Sequence, residues 1–188
     1  MDTDTQLEEM QTVIQELNAE LDSMRTRLLD LDAQRTDAIR TTTRSASLYV
    51  ALDRLHAGSD RSAVLDVIEE ILKDLLGTEM AAIFVVDPAK ERVVPLKSFG
   101  TNMGPVEPLD YDEGPIGKAA ATGERIISEG EAILVAAPLL VAGQVIGVLA
   151  VYELVSHKDH LEALDLELID LLTGHAAIAL KAASTNQS

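Results

Sequence analysis

From Leu7 onward, apolar side chains return at alternating steps of three and four residues. Leu7, Ile14, Leu21 and Leu28 share one heptad position, a, and Met10, Leu17, Met24 and Leu31 share position d. A repeat of about 3.5 residues held over about four heptads is the pattern of a left-handed coiled coil, because a lone surface helix follows a period near 3.6. No Pro or Gly precedes Gly58, and Gln, Glu, Asp, Arg and Thr dominate between the seam positions. In a parallel, in-register pair, Glu20 faces Arg25 of a second copy and Arg27 faces Asp32. Such exposed pairs contribute only a few tenths of a kcal/mol each, yet they bias partner and direction. Residues 1–47 are therefore predicted to form a parallel coiled coil, and the chain a homodimer. The seam then turns polar: Arg35 and Thr42 fall at a, Ala38 and Ser45 at d, before Tyr49 and Leu52 restore apolar contacts. The predicted dimer interface is thus Leu7, Met10, Ile14, Leu17, Leu21, Met24, Leu28, Leu31, Tyr49 and Leu52. The weak stretch from Arg35 to Ser45 either frays before the next element or passes a signal between two packings of similar energy.

Charge removes several classes of function. The chain carries 32 acids against 15 bases, a formal net charge of −17. Residues 1–45 hold 10 acids and 5 bases, and the remainder 22 and 10, so neither half hides a basic module. Nucleic-acid phosphates and anionic membranes both call for the opposite sign. There is no cysteine, which excludes disulfides, thiolate metal sites, cysteine nucleophiles and thioether-linked chromophores. The N-terminus opens on Asp2, Asp4, Glu8 and Glu9, unlike a signal peptide, and the longest apolar run, Ile133 to Ala142, is too short to span a bilayer. A cytoplasmic protein is expected.

Beyond Gly58-Ser59-Asp60, where Ser59 or Asp60 can cap a helix, residues 62–76 place Leu65, Ile68, Leu72 and Leu75 on one face, with Gly77 as the stop. Met80 to Val86 is a continuous apolar run of strand length, which predicts a central strand covered on both faces. Arg92 to Ser98 reads as its hairpin partner. A Gly- and Pro-rich loop spans 100–117, a short helix 116–122 ends at Gly123, and Ile126-Ile127 is a brief strand. The runs 133–140 and 145–152 are separated by a turn with Ala142-Gly143, so short that the strands must be antiparallel. Residues 161–181 are again helical. Gly147 inside a strand predicts close backbone approach, and Pro138 inside a strand predicts a bulge or an edge-like position.

This order resembles the GAF fold, and specific stretches carry the likeness. Ile116-Gly117-Lys118-Ala119-Ala120-Ala121-Thr122-Gly123-Glu124 is similar to the family's short-helix motif. Ala137-Pro138-Leu139, the turn, and Ile146-Gly147-Val148-Leu149 resemble its signature strand pair, and Asp165 and Leu168 its closing helix. Leu161 stands where the family usually has Phe. The resemblance implies an α/β (α+β) domain over 48–183, a central antiparallel sheet flanked by helices and preceded by the long helix, with 184–188 a disordered tail. It further implies a bacterial signalling protein. Ligand-binding relatives use a cavity between the sheet and the loops around the short helix, which here implies Phe84, Phe99, Tyr111, Asp112 and Ile116 as pocket residues, with Asp110 and Glu113 beside Asp112 in the mouth. Only Glu129-Gly130-Glu131-Ala132 remain where many such members insert a lid, so a closed core without ligand is the leading expectation. The family's cyclic-nucleotide pattern is missing, and bilin attachment and free methionine sulfoxide reduction both lack their cysteines.

No other constellation reaches catalytic specificity. His157-Lys158-Asp159-His160 lacks a fourth metal ligand, and His175 lies among Ala176, Ala177 and Ile178, as a packed rather than a ligating residue. No metal, cofactor or catalytic residue is therefore predicted. The chain ends soon after the last helix, so the output expected of it passes to a separate protein: a non-catalytic dimeric scaffold acting through protein–protein interaction, or alternatively a small-molecule sensor whose ligand alters the coiled coil. One prediction follows from the seam. Amide protection in the wild type should be lower over residues 35–45 than over 14–31, because opening costs least where apolar contacts are fewest. Equal protection would exclude a hinge in that stretch.

Overall fold

The structure, a computed structural model, describes residues 3–58, 60–100, 106–111, 113–128, 132–156 and 158–185, without the side chains of 3–9, 12, 37, 40, 41, 44 and 185. The Leu7 side chain, Ser59, Asp112, Glu129 to Glu131 and His157 therefore lie outside the described residues. The chain divides into two compact units, Met1–Ala46 and Ser47–Ser188. Helix α1, Thr3–Ala57, supplies the first unit and the opening of the second.

In the first unit every described side chain from Met10 to Ala46 is exposed. The seam residues Met10, Ile14, Leu17, Leu21, Met24, Leu28 and Leu31 are 51–66% exposed in the single chain. Polar side chains are spent within the helix: Thr26, Thr36 and Thr42 each donate to the carbonyl four residues back. Arg25 lies 3.5 Å from Asp22, an exposed contact of little energetic weight.

The second unit is built on a six-stranded antiparallel sheet. Its strands are β1 (Thr78–Asp87), β2 (Arg92–Phe99), β3 (Leu109–Asp110), β4 (Ile126–Ile127), β5 (Val135–Val141) and β6 (Gln144–Leu154). They lie in the order β3-β2-β1-β6-β5-β4. The helices are the end of α1, then α2 (Arg61–Ile71) continued by a π-helical turn at Leu72–Leu76, α3 (Gly114–Thr122) and α4 (Ala163–Thr185). Asp60 caps α2 by accepting from the Ala63 N–H at 2.9 Å, and Gly77 closes the π turn with φ of 69°.

Helices cover both faces of the sheet, which is why β1 and β6 read as unbroken apolar runs. One face carries Ala81, Ile83, Val135, Ala137, Leu149 and Val151 and packs against α2, α4 and Leu52 and Leu55 of α1. The other carries Ala82, Phe84, Val93, Ala136, Val148 and Ala150 and packs against Ile116, Ala119 and Ala120 of α3. Alanines on both sides of this second contact let α3 lie close to the sheet.

Two small residues set the sheet's geometry. A Cβ built on Gly147 would stand 2.2 Å from the Phe84 carbonyl oxygen, so β1 and β6 reach this spacing only without a side chain there. Ala142 and Gly143 have φ of 51° and 79°, the pair of left-handed residues that a two-residue hairpin between β5 and β6 requires. Pro138 pairs with Val148, whereas β4 pairs only with Val135 and Ala136. Pro138 thus stands where β5 has a strand on one side only, the edge-like position expected of it. Two expectations need correction. Strand β3, two residues long, was hidden in the loop because it has too few residues to show a period. The last helix also runs on to Thr185: Ser184 Oγ donates to the Leu180 carbonyl at 2.7 Å and accepts from Arg61 at 2.7 Å, so residue 184 is not tail.

Two tests follow. Gly147→Ala should destabilise the fold by about 1–3 kcal/mol, the usual range for overpacking, whereas Gly174→Ala, with open space around it mid-helix, should be neutral or stabilising by up to about 1 kcal/mol; chemical denaturation reads both. Burial pushes the Tyr152 hydroxyl up to about 12. Its folded value lies above the unfolded value of about 10, so its contribution to stability is whole below pH 10 and is lost as pH rises from about 10 to about 12. Ultraviolet titration should show a late phenolate phase that Tyr152→Phe removes.

Candidate functional site

Of the implied pocket residues, Phe84, Tyr111 and Ile116 come together on one face of the sheet and Phe99 lies on the other, while Asp112 lies outside the described residues. Phe84 and Ile116 meet on the α3 face at 0% and 1% exposure, as fillers of the core rather than walls of a cavity. Tyr111 packs at the margin of the same cluster, its hydroxyl raised by burial and then by the nearby charges of Glu91 and Asp87. Phe99 belongs to the opposite face. The reason is a bulge: Ile83 pairs with Lys97 and the next residue, Phe84, pairs with Pro95, so Leu96 is skipped. One extra residue exchanges the two faces of a strand, and Val93 and Phe99, which strict alternation would put together, part. Lys73 Nζ lies 5.1 Å from the centre of the Phe99 ring.

The acidic mouth is a structural turn. Glu113 Oε2 accepts from the Asp110 N–H at 3.0 Å, and the Glu113 N–H donates to the Asp110 carbonyl at 3.0 Å. These bonds hold the entry to α3. A Cβ on Gly117 would lie 2.2 Å from the Asp110 carbonyl oxygen, so the glycine lets the helix start against β3.

The histidine-rich junction also has a structural task. Lys158 Nζ donates to the Leu76 carbonyl at 2.7 Å and pairs with Asp165 at 2.8 Å. Asp165 is 1% exposed and also accepts from the Glu162 N–H at 2.8 Å. A buried carboxylate held by a cation and a backbone donor ties the π turn to the start of α4. Among the described residues no group of three or more His, Asp or Glu is placed to hold a metal. His175 Nδ1 lies 2.8 Å from His56 Nε2, with ring centres 5.1 Å apart and planes at 73°. One imidazole donates and the other accepts, joining the end of α1 to α4. Sequence reasoning missed this pair because its members lie far apart in the chain.

Outside the core, a network of charges fastens α2 to β2: Lys97 reaches Asp66 at 2.6 Å and Glu69 at 2.7 Å, and Lys73 reaches Glu69 at 2.5 Å. Burial pushes the Glu69 carboxyl up, but the hydrogen bonds from Lys73 and Lys97 outweigh it and hold it below the usual carboxylate range. Of the predicted interface residues on this unit, Tyr49 is 77% exposed, whereas Leu52 is 8% exposed and lies within the domain's own core. Leu52 is therefore withdrawn from the interface: with Leu48, Ala51 and Leu55 it forms the i, i+3, i+4, i+7 stripe that packs inward. On α4, Leu164, Leu171 and Ile178 recur every seven residues at 43–54% exposure.

No helix among the described residues is long and apolar enough to cross a membrane. No curated protein matches the chain. Solved structures share its fold. Residues 122 to 287 of a methyl-accepting chemotaxis protein align at 24% identity and a TM-score of 0.59, over 73% of this chain and 99% of that one. The GAF domain of a phosphoenolpyruvate-protein phosphotransferase from Coxiella burnetii aligns at 19% identity and a TM-score of 0.63, over 77% and 96%. Free methionine-R-sulfoxide reductase from Neisseria meningitidis aligns at 18% identity and 0.60, over 73% and 88%. The family profile described as GAF domain matches residues 63–182, well over half of the sequence, and with the sheet order and glycine contacts above it establishes that the chain belongs to the GAF domain family.

Proposed function

We propose that this GAF protein is a non-catalytic, homodimeric signalling scaffold of the cytoplasm that acts by binding another protein. GAF domains are regulatory modules, and this one gives its interior to packing: Phe84 and Ile116 fill the space between sheet and α3. The single observation that carries the proposal is the heptad stripe of α1. Seven large apolar side chains from Met10 to Leu31, each more than half exposed, form a seam that a helix in water hides by pairing. The flanking charges, Glu20 toward Arg25 and Arg27 toward Asp32 of the other copy, favour a second copy in parallel register. Tyr49 and the α4 residues Leu164, Leu171 and Ile178 supply further apolar surface for the same association.

Sedimentation tests the proposal. Deleting residues 1–45 should weaken self-association by at least about 100-fold, which corresponds to about 2.7 kcal/mol, and Leu21→Asp with Leu28→Asp in the full chain should do the same. A full chain that sediments as a monomer at micromolar concentration, or a truncated form that dimerises as tightly as the whole, would refute the zipper.

A further inference from the structure

On the sheet face away from α3, at the end where α2 begins and α4 finishes, lies a groove of about 360 Å³. Val85, Leu96, Leu139 and Ile146 form its floor, and Arg61, Lys181 and Ser184 stand along it. The register explains why the space exists. Val85 and Leu139 both pair with Gly147, so the row between them carries no side chain.

The rim of the groove carries positive charge. In a chain with 32 acids, Arg54, Lys73, Lys90, Lys97, Arg125 and Lys158 each hold a carboxylate, whereas Arg27, Arg35, Arg92 and Lys118 make no ion pair among the described residues. Arg61, half-buried, instead donates from Nη2 to the neutral hydroxyl of Ser184 at 2.7 Å. Among the described residues it makes no ion pair. A guanidinium partly withdrawn from water, with its fork oriented by one hydrogen bond, matches a carboxylate in bidentate geometry, and the apolar surface beside it suits a carboxylate that carries an alkyl chain.

We propose that this groove binds a medium-chain fatty acid, with its carboxylate on Arg61 and its alkyl chain along Val85, Leu96 and Ile146. The volume lies within the usual range for small-molecule sites, about 300–1,000 Å³. All of the lining residues belong to one chain and one unit, so the site does not depend on the dimer proposed above.

Calorimetry on the full chain with sodium decanoate, kept below its micellar concentration, is the test. One saturable site per chain is expected, with a Kd at or below about 1 mM. Decanol, which keeps the tail and lacks the charge, and butyrate, which keeps the charge and lacks the tail, should each bind at least tenfold more weakly. Arg61→Gln should lose at least tenfold in affinity for decanoate with an unchanged melting temperature. If that variant does not fold, Leu96→Glu, which sets a carboxylate on the half-exposed floor, serves in its place. Methyl resonances of Leu96, Ile146 and Leu180 should shift on saturation. Absence of saturable binding, equal affinity for decanol, full affinity in Arg61→Gln or in Leu96→Glu, or shifts confined to Ile116 and Ile126 on the α3 face would each overturn the proposal.

Discussion

The pairing of β1 with β6, which runs from Thr78 with Leu154 to Val85 with Gly147 and is irregular only around Met80, is the contact on which the rest of the domain hangs. It brings together two segments far apart in the chain, and the remaining strands extend outward from that pair. Its spacing rests on one absence of matter: the Phe84 carbonyl occupies the room that a Cβ on residue 147 would need. Because the pair is central, both of its faces must be covered by apolar groups, and two separate clusters form, one under α2 and α4 and one under α3. Loop closure over that separation costs entropy that the burial on both faces offsets.

Those two faces have been put to different uses. Toward α3 the contact is made of alanines together with Phe84 and Ile116, which leaves a dense layer. Toward α2 and α4 the side chains are larger, and a groove remains between Arg61 and Leu180. Charge follows the same division. The buried Lys158–Asp165 bridge and the Lys97 network fix helices to one another and to the sheet, each cation matched by a carboxylate. Arg61 instead donates to the Ser184 hydroxyl, beside the apolar floor of the groove.

Much of the fold was legible because it was written in local terms. The heptads of α1, the unbroken run of β1, the two-residue turn at Ala142-Gly143 and the stop at Gly123 each depend on neighbours a few positions away, and each lies where its pattern put it. The site was less legible. Phe99 was placed with Phe84 by reasoning that had no means of detecting the bulge at Leu96, since a bulge arises from how two strands pair and not from either alone. Leu52 fits the heptad as well as Tyr49 does; only its position against the core separates them. Lys158 read as part of a histidine cluster until Asp165 and the Leu76 carbonyl stood beside it.

The amino-acid sequence by itself determined the periods: 3.5 along the first helix, on which the proposed pairing rests, and the two-sided hydrophobicity that demands a covered sheet. It also determined one chemistry that is out of reach, since a chain without cysteine cannot assemble thiolate sites. Tertiary structure alone decided which apolar residues are spent inside and which face outward, and which charges meet. Those outcomes depend on register, and register is a property of pairs of segments: a single skipped residue in β2 reverses a face, and His56 finds His175, or Arg61 finds Ser184, only after the sheet has brought the ends of the chain together.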